Sequence, residues 1–267
     1  MKHTKPFDTD VFHQVRKSKW VGKPLIFFEQ LGSTNAYLKE QAANSAEISP
    51  GTLVFTDFQS SGRGRRGRQW LAPPKTALLT SVLLHPVFTP TWLPMIAGLA
   101  ATDALNQVNS QLKWPNDIMI AGADNKWRKA GGILVEVQTA PNGKLIAVVG
   151  MGLNINIRPE ALPEAVTPAT SLLAELGYTV SRERLLARLV ENLEKWVDLA
   201  TLGQSPQPAW NERLITLNQP VSVGGNVAIQ GIAESTDDWG RLLVRDAQGV
   251  LHTCAAGDVT LRGSQAA

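Results

Sequence analysis

Between Gln59 and Trp70 the chain reads QSSGRGRRGRQW, and Gly62 to Arg68 holds four arginines and three glycines. Nearly every side chain there is a guanidinium or absent. Glycine lets the backbone take positive φ and bring N–H groups close to a ligand. Arginine supplies permanently charged forks matched to carboxylate and phosphate oxygens. Taken alone, the segment fits a nucleic-acid contact through charge, a solvated linker, or a clamp for a small oxyanion. Its setting favours the clamp. It follows the strand-like run Gly51 to Phe58 and is framed by Gln59, a hydrogen-bonding amide, and Trp70, a flat apolar wall.

A second group is Lys113-Trp114-Pro115-Asn116-Asp117. Proline ends or edges a strand, so Asn116 and Asp117 can point into a cleft; Pro-Asn-Asp is equally good turn chemistry. If Leu112 to Ile120 pairs with Gly131 to Thr139 as a hairpin, Lys129 faces Asn116 and Asp117 beside Gly131 and Gly132. A lysine, a carboxylate and an amide then converge in a way suited to phosphate and carboxylate. Gly150-Met151-Gly152-Leu153-Asn154 is not a dinucleotide fingerprint, because no third glycine and no helix follow. It reads either as a strand bulge or as a place where a flat ring meets bare backbone, with Asn154 reading an amide-like edge. Ser33, in Gly32-Ser33-Thr34-Asn35, reads as a cap or ligand hydrogen-bonder and not as a nucleophile. His3, His13, His85 and His252 are scattered, so no metal site built from histidine or cysteine is expected.

The elements that would carry these groups follow from periodicity. Helices are predicted over 36–43 with Ser33 or Thr34 as cap, over 92–108 with one apolar stripe, and over 184–199 with Ser181 as cap. Strands are predicted at 51–58, 77–84, 112–120, 131–139 and 145–157, with Asn142-Gly143 as a turn. Residues 203–208 read as linker, and 210–214 as a last helical turn. From Pro220 onward short strands and Gly-containing turns suggest a small barrel. Residues 1–22 are polar, basic and too short for a domain.

Composition narrows the class. The chain has 267 residues, 43% hydrophobic and 18% charged, which is globular. A net charge of +3, from 26 basic and 23 acidic residues, does not by itself call for nucleic acid. The lone Cys254 rules out an intramolecular disulfide and fits a reducing compartment. With no signal-like or membrane-length apolar run, a cytoplasmic protein without membrane attachment is expected.

Five segments in order, GSTN (32–35), QSSGRGRRGRQW (59–70), KWPNDI (113–118), KAGGILVE (129–136) and GMGLNIN (150–156), resemble biotin protein ligases. The likeness continues into Thr170-Ser171-Leu172 and GDVTLR (257–262), covering roughly residues 25 to 262. It implies an α/β (α+β) fold: a class II synthetase-like catalytic domain at 25–214, a mixed sheet flanked by helices. A short extension at 1–24 would precede it and a small SH3-like barrel at 215–267 would follow. It also implies ATP and biotin as substrates with Mg²⁺ on the phosphates, and biotinyl-5′-AMP as intermediate. The acceptor would be a lysine of biotin carboxyl carrier protein, an acetyl-CoA carboxylase subunit.

By this resemblance Ser33, Thr34, Asn35, Gln59, Arg63, Gly64, Arg65, Lys129 and Gly131 bind biotin. Arg65, Arg68, Trp70, Asn116, Lys129 and Asn154 bind ATP. Lys129, Arg65, Arg63 and Asp117 form the catalytic group. Some relatives also carry an N-terminal winged-helix domain and repress biotin synthesis; with 24 residues before the catalytic region, no specific DNA binding is expected. Homodimerisation through exposed sheet edges is left open. Lipoate–protein ligases share the logic but are not expected to carry both GRGRRGR and KWPNDI. A nucleic-acid binder explains only residues 62–68, and steep salt dependence would mark it.

Overall fold

A computed structural model describes residues 5–44, 48–139, 143–164, 167–224 and 228–261. Asn142 of the expected turn, Gly225 to Val227, and Arg262 of GDVTLR lie outside the described residues. Residues 25 to 154 supply a seven-stranded sheet in the order β1-β2-β3-β7-β6-β5-β4. These strands are β1 (Leu25–Phe28), β2 (Leu53–Thr56), β3 (Ala77–Leu84), β4 (Ser110–Lys113), β5 (Asp117–Ala121), β6 (Trp127–Thr139) and β7 (Leu145–Asn154). β1 and β2 run parallel while the remaining pairs are antiparallel, so the sheet is mixed as expected.

Both sheet faces are covered, and strand alternation divides the core between them. Leu53, Phe55, Val82, Ala147 and Val149 join the larger cluster, under α3 (Leu93–Ala104) and α5 (Arg182–Thr201). Val54, Leu83, Ile146 and Val148 face the other way and pack with Leu38 and Ala42 of α2 (Thr34–Asn44). Every residue of β3 is buried, which fits its mostly apolar sequence; the two polar residues, Thr80 and Ser81, are hydrogen-bonded. Ser181 caps α5 by accepting from the Arg184 amide at 3.3 Å.

Several elements differ from the sequence reading. α3 stops at Ala104, short of Val108, and is buried on nearly all sides because sheet and α5 enclose it. The supposed strand 112–120 is two strands, β4 and β5, turning at Trp114-Pro115-Asn116. Trp114 sits in that turn at 1% exposure, its indole Nε1 donating to the Gly240 carbonyl at 2.9 Å. Among residues 1–22, Thr9–Val15 form a helix, α1, capped by Asp8 and packed on α5, with Phe7, Phe12 and Val21 buried in the main core. α4 (Leu172–Leu176) and α6 (Gln207–Glu212) complete the helices, the latter starting inside the supposed linker.

The C-terminal strands β8 (Pro220–Gly224), β9 (Ile229–Thr236), β10 (Leu242–Arg245), β11 (Leu251–Cys254) and β12 (Asp258–Leu261) form an antiparallel sheet in the order β11-β10-β9-β8-β12. Among the described residues no helix is long and apolar enough to cross a membrane.

Candidate active site

The floor of the site is bare sheet. Register sets Gly152 beside Gly132, and Gly150 beside both Ser81 and Leu134. The space their missing side chains leave is taken by others. A Cβ on Gly150 would lie 2.2 Å from Asn35 Oδ1, and one on Gly152 2.7 Å from Trp70 Cε2. Trp70 thus lies flat against glycine backbone, and its buried Nε1 makes no hydrogen bond among the described residues. Above this floor opens a cavity of about 800 Å³.

One wall is polar and neutral. Gln59 Oε1 accepts from the Thr34 amide at 2.8 Å and from Thr34 Oγ1 at 3.1 Å, leaving its Nε2 donors for a ligand. Ser81 Oγ bridges Thr34 Oγ1 (2.7 Å) and Asn35 Oδ1 (2.6 Å). Behind Asn35, Glu136 Oε2 accepts from its Nδ2 at 2.9 Å, while Oε1 pairs with Lys39 at 2.6 Å and Arg63 at 3.7 Å. Burial opposes ionisation of Glu136, but the hydrogen bonds from Lys39 and Asn35 outweigh it and hold its pKa below the usual carboxylate value. Ser33 Oγ accepts weakly from the Ala36 amide, 3.4 Å, at the start of α2.

The opposite wall is cationic. A bulge between Ile118 and Met119 pairs Asp117 with Gly132 but Met119 with Lys129. The extra residue, Ala130, turns Lys129 to the face that Asp117 occupies. Lys129 Nζ then donates to Asp117 Oδ1 at 2.5 Å. Its backbone is fixed from the other edge, its amide donating to Pro168 and its carbonyl accepting from Thr170. Arg65 Nη1 donates to Asn116 Oδ1 at 3.1 Å, and Asn116 Nδ2 to the Ile133 carbonyl at 2.8 Å. Burial lowers the pKa of Arg65 and, separately, of Lys113, which also lines the cavity. Desolvated cations of this kind meet an anion without first shedding much water.

Ser33, Thr34, Asn35, Gln59, Arg63, Gly64, Arg65, Arg68, Trp70, Asn116, Asp117 and Lys129 therefore all line one cavity. Two expected residues do not line it. Gly131 is packed on Leu153, where a Cβ would come within 2.5 Å of Leu153 Cδ2. Asn154 is 5% exposed and its Nδ2 is committed to the Thr170 carbonyl at 3.0 Å, so it braces the Lys129 segment from behind. Lys113 and Asp258 also line the cavity, while Ser81 and Glu136 hold Thr34 and Asn35 from behind. Polar residues inside the apolar runs LLTSVLL and ILVEV were the available signal for Ser81 and Glu136.

This cavity can bring two anions together against fixed positive charge while holding an uncharged polar group at its far end. The profile of the biotin/lipoate A/B protein ligase family matches residues 27–156. Over 245 residues the chain is 35% identical to a biotin–[acetyl-CoA-carboxylase] ligase of Mycobacterium tuberculosis, covering 86% of each. It is 32% identical over 223 residues to the ligase of that name from Paracoccus denitrificans, covering 78% of this chain and 91% of the other. The biotin protein ligase of Aquifex aeolicus, solved with biotin and ATP, superposes with a TM-score of 0.74 at 28% identity, covering 90% of this chain and 99% of that one. The chain belongs to the biotin protein ligases of the biotin/lipoate ligase family.

Proposed function

We propose that the chain activates biotin with ATP and transfers it to a carrier lysine, as a biotin–[acetyl-CoA-carboxylase] ligase. The observation that supports this most is the joining of the Lys129–Asp117 pair and the arginine loop in one cavity with the neutral Thr34–Asn35–Gln59 wall. The neutral wall receives the ureido ring, and the cationic wall the carboxylate and phosphates. A carboxylate oxygen of biotin attacks the α-phosphorus, the bond to the β-phosphate breaks, and pyrophosphate leaves. Lys129, Arg63 and Arg65 offset the repulsion between the two anions. Asn116 and Arg68 bind the nucleotide beside Trp70. In the second half-reaction a lysine amine attacks the acyl carbon, AMP leaves, and Asp117 orients Lys129 or takes the amine's proton.

Among the described residues no three His, Cys, Asp or Glu side chains cluster as a metal cage. Mg²⁺ fits this site as a partner of the ATP phosphates, which supply most of its oxygen ligands and need few from protein. Of the described residues, Asp117 and Asp258 are the carboxylates that line the cavity and could add a ligand. When bound, the ion neutralises phosphate charge.

Two outcomes follow. Purified carrier domain of acetyl-CoA carboxylase, incubated with the chain, biotin, ATP and Mg²⁺, gains the mass of one biotinyl group on a single lysine; an unmodified carrier refutes this acceptor. Gly150→Ala drives a methyl into Asn35 Oδ1 and disturbs the neutral wall. It should raise the KM for biotin roughly ten-fold, as loss of a positioned hydrogen bond does, with the KM for ATP little changed. Equal rises in both constants would show that the wall does not read biotin.

A further inference from the structure

Asp258 opens β12 in the C-terminal sheet, yet it lines the catalytic cavity. Its Oδ2 lies 3.3 Å from Arg66 Nη1, and its Oδ1 pairs with Arg68 Nη2. Its backbone is paired with Gly224 of β8, and Val259 beside it is 6% exposed. Gly257 before it leaves no space: a Cβ would sit 2.4 Å from Val223 Cγ1. The carboxylate is therefore carried to the loop by a rigid strand.

The loop needs such a partner. Its four arginines repel one another, and Arg66 takes the left-handed φ of 55°. Arg63 reaches Glu136 and Arg65 reaches the neutral Asn116, which leaves Arg66 and Arg68 to Asp258. Arg65 and Lys113 also feel its charge.

We propose that Asp258 is a positioning residue by which the C-terminal sheet holds the arginine loop over the cavity before nucleotide arrives, and that triphosphate oxygens then take Arg66 and Arg68 from it. Two carboxylate oxygens shared by two guanidiniums give the charge-assisted geometry that phosphate oxygens also offer. The exchange clause rests on the function proposed above; the holding clause does not. Arg66, Arg68 and Asp258 are about half exposed, so the effect falls on the loop's closed population and weakens with salt.

The test is limited trypsin digestion of the full chain, with cleavage after Arg63 to Arg68 followed by mass spectrometry. Without ligand, Asp258→Asn should be cut in the loop about three- to ten-fold faster than the parent, the range expected for two exposed ion pairs. Asp258→Glu should restore protection, and the difference should shrink in high salt. Thermal unfolding of each variant, matching the parent, separates this from loss of the C-terminal sheet. With saturating biotin and ATP the parent and Asp258→Asn should be equally protected and share one kcat. Parent-like cleavage of ligand-free Asp258→Asn overturns the holding role. A large fall in its kcat overturns the exchange, since Asp258 would then act in the transition state. Should the parent show no biotin-dependent activity, the function proposed above fails and the ligand-free digestion still decides the holding role.

Discussion

Replacing Lys129 by alanine is expected to slow biotin-dependent adenylate formation by on the order of 10²-fold or more, about 3 kcal/mol of barrier. The ammonium is delivered by the Ala130 bulge to the face where Asp117 lies, and it is held there at 2.5 Å. Arg65→Ala should produce a loss of the same order, because its half-buried guanidinium is positioned by Asn116. Single-turnover measurement of biotinyl-AMP separates this effect from carrier transfer. Near-normal adenylation by either variant removes that residue from the mechanism.

Arg182→Met is expected to cost about 3–5 kcal/mol of folding stability, the usual penalty for stranding a buried charge. Arg182 Nη1 meets Asp57 Oδ1 at 2.6 Å, and the two side chains are 3% and 1% exposed. Arg182 Nη2 also donates to the Lys5 carbonyl at 3.0 Å, and Asp57 Oδ2 accepts from the Phe7 amide at 3.4 Å. The pair thus binds the N-terminal segment to the start of α5 and to the end of β2, two residues before Gln59. Urea midpoints at constant m-value measure the loss. The double variant Asp57→Ala, Arg182→Met should recover part of it, since no uncompensated carboxylate remains. A single-variant cost under about 1 kcal/mol would mean that water reaches Asp57.

The site was legible where its chemistry is dense along the chain. GRGRRGR, Lys129 and Asp117 announce themselves by residue type, and strand pairing carries Lys129 to Asp117 across a sequence separation of twelve. The hidden part depends on partners remote in sequence. Asp258 meets Arg68 from 190 residues away, a contact that no local pattern encodes. Asn154 was expected at the nucleotide, but the Thr170 carbonyl claims its amide and turns it from the cavity. Trp114 looked like part of a strand; its burial against Gly240 of the C-terminal region makes a turn there. For the fold, long patterned elements such as α5 and the mostly apolar β3 were readable. The seven-residue α1 was not, because a helix this short depends on tertiary packing, here the burial of Phe12 in the main core and the contact of α1 with α5.

Biotin-dependent exchange of pyrophosphate into ATP, run with Mg²⁺ and with lipoate as the control acid, tests the central claim most directly. The cavity's neutral wall and cationic loop predict exchange with biotin and none above background with lipoate. Exchange with lipoate in place of biotin, or with neither acid from folded protein, would contradict the assignment of this cavity to biotin activation.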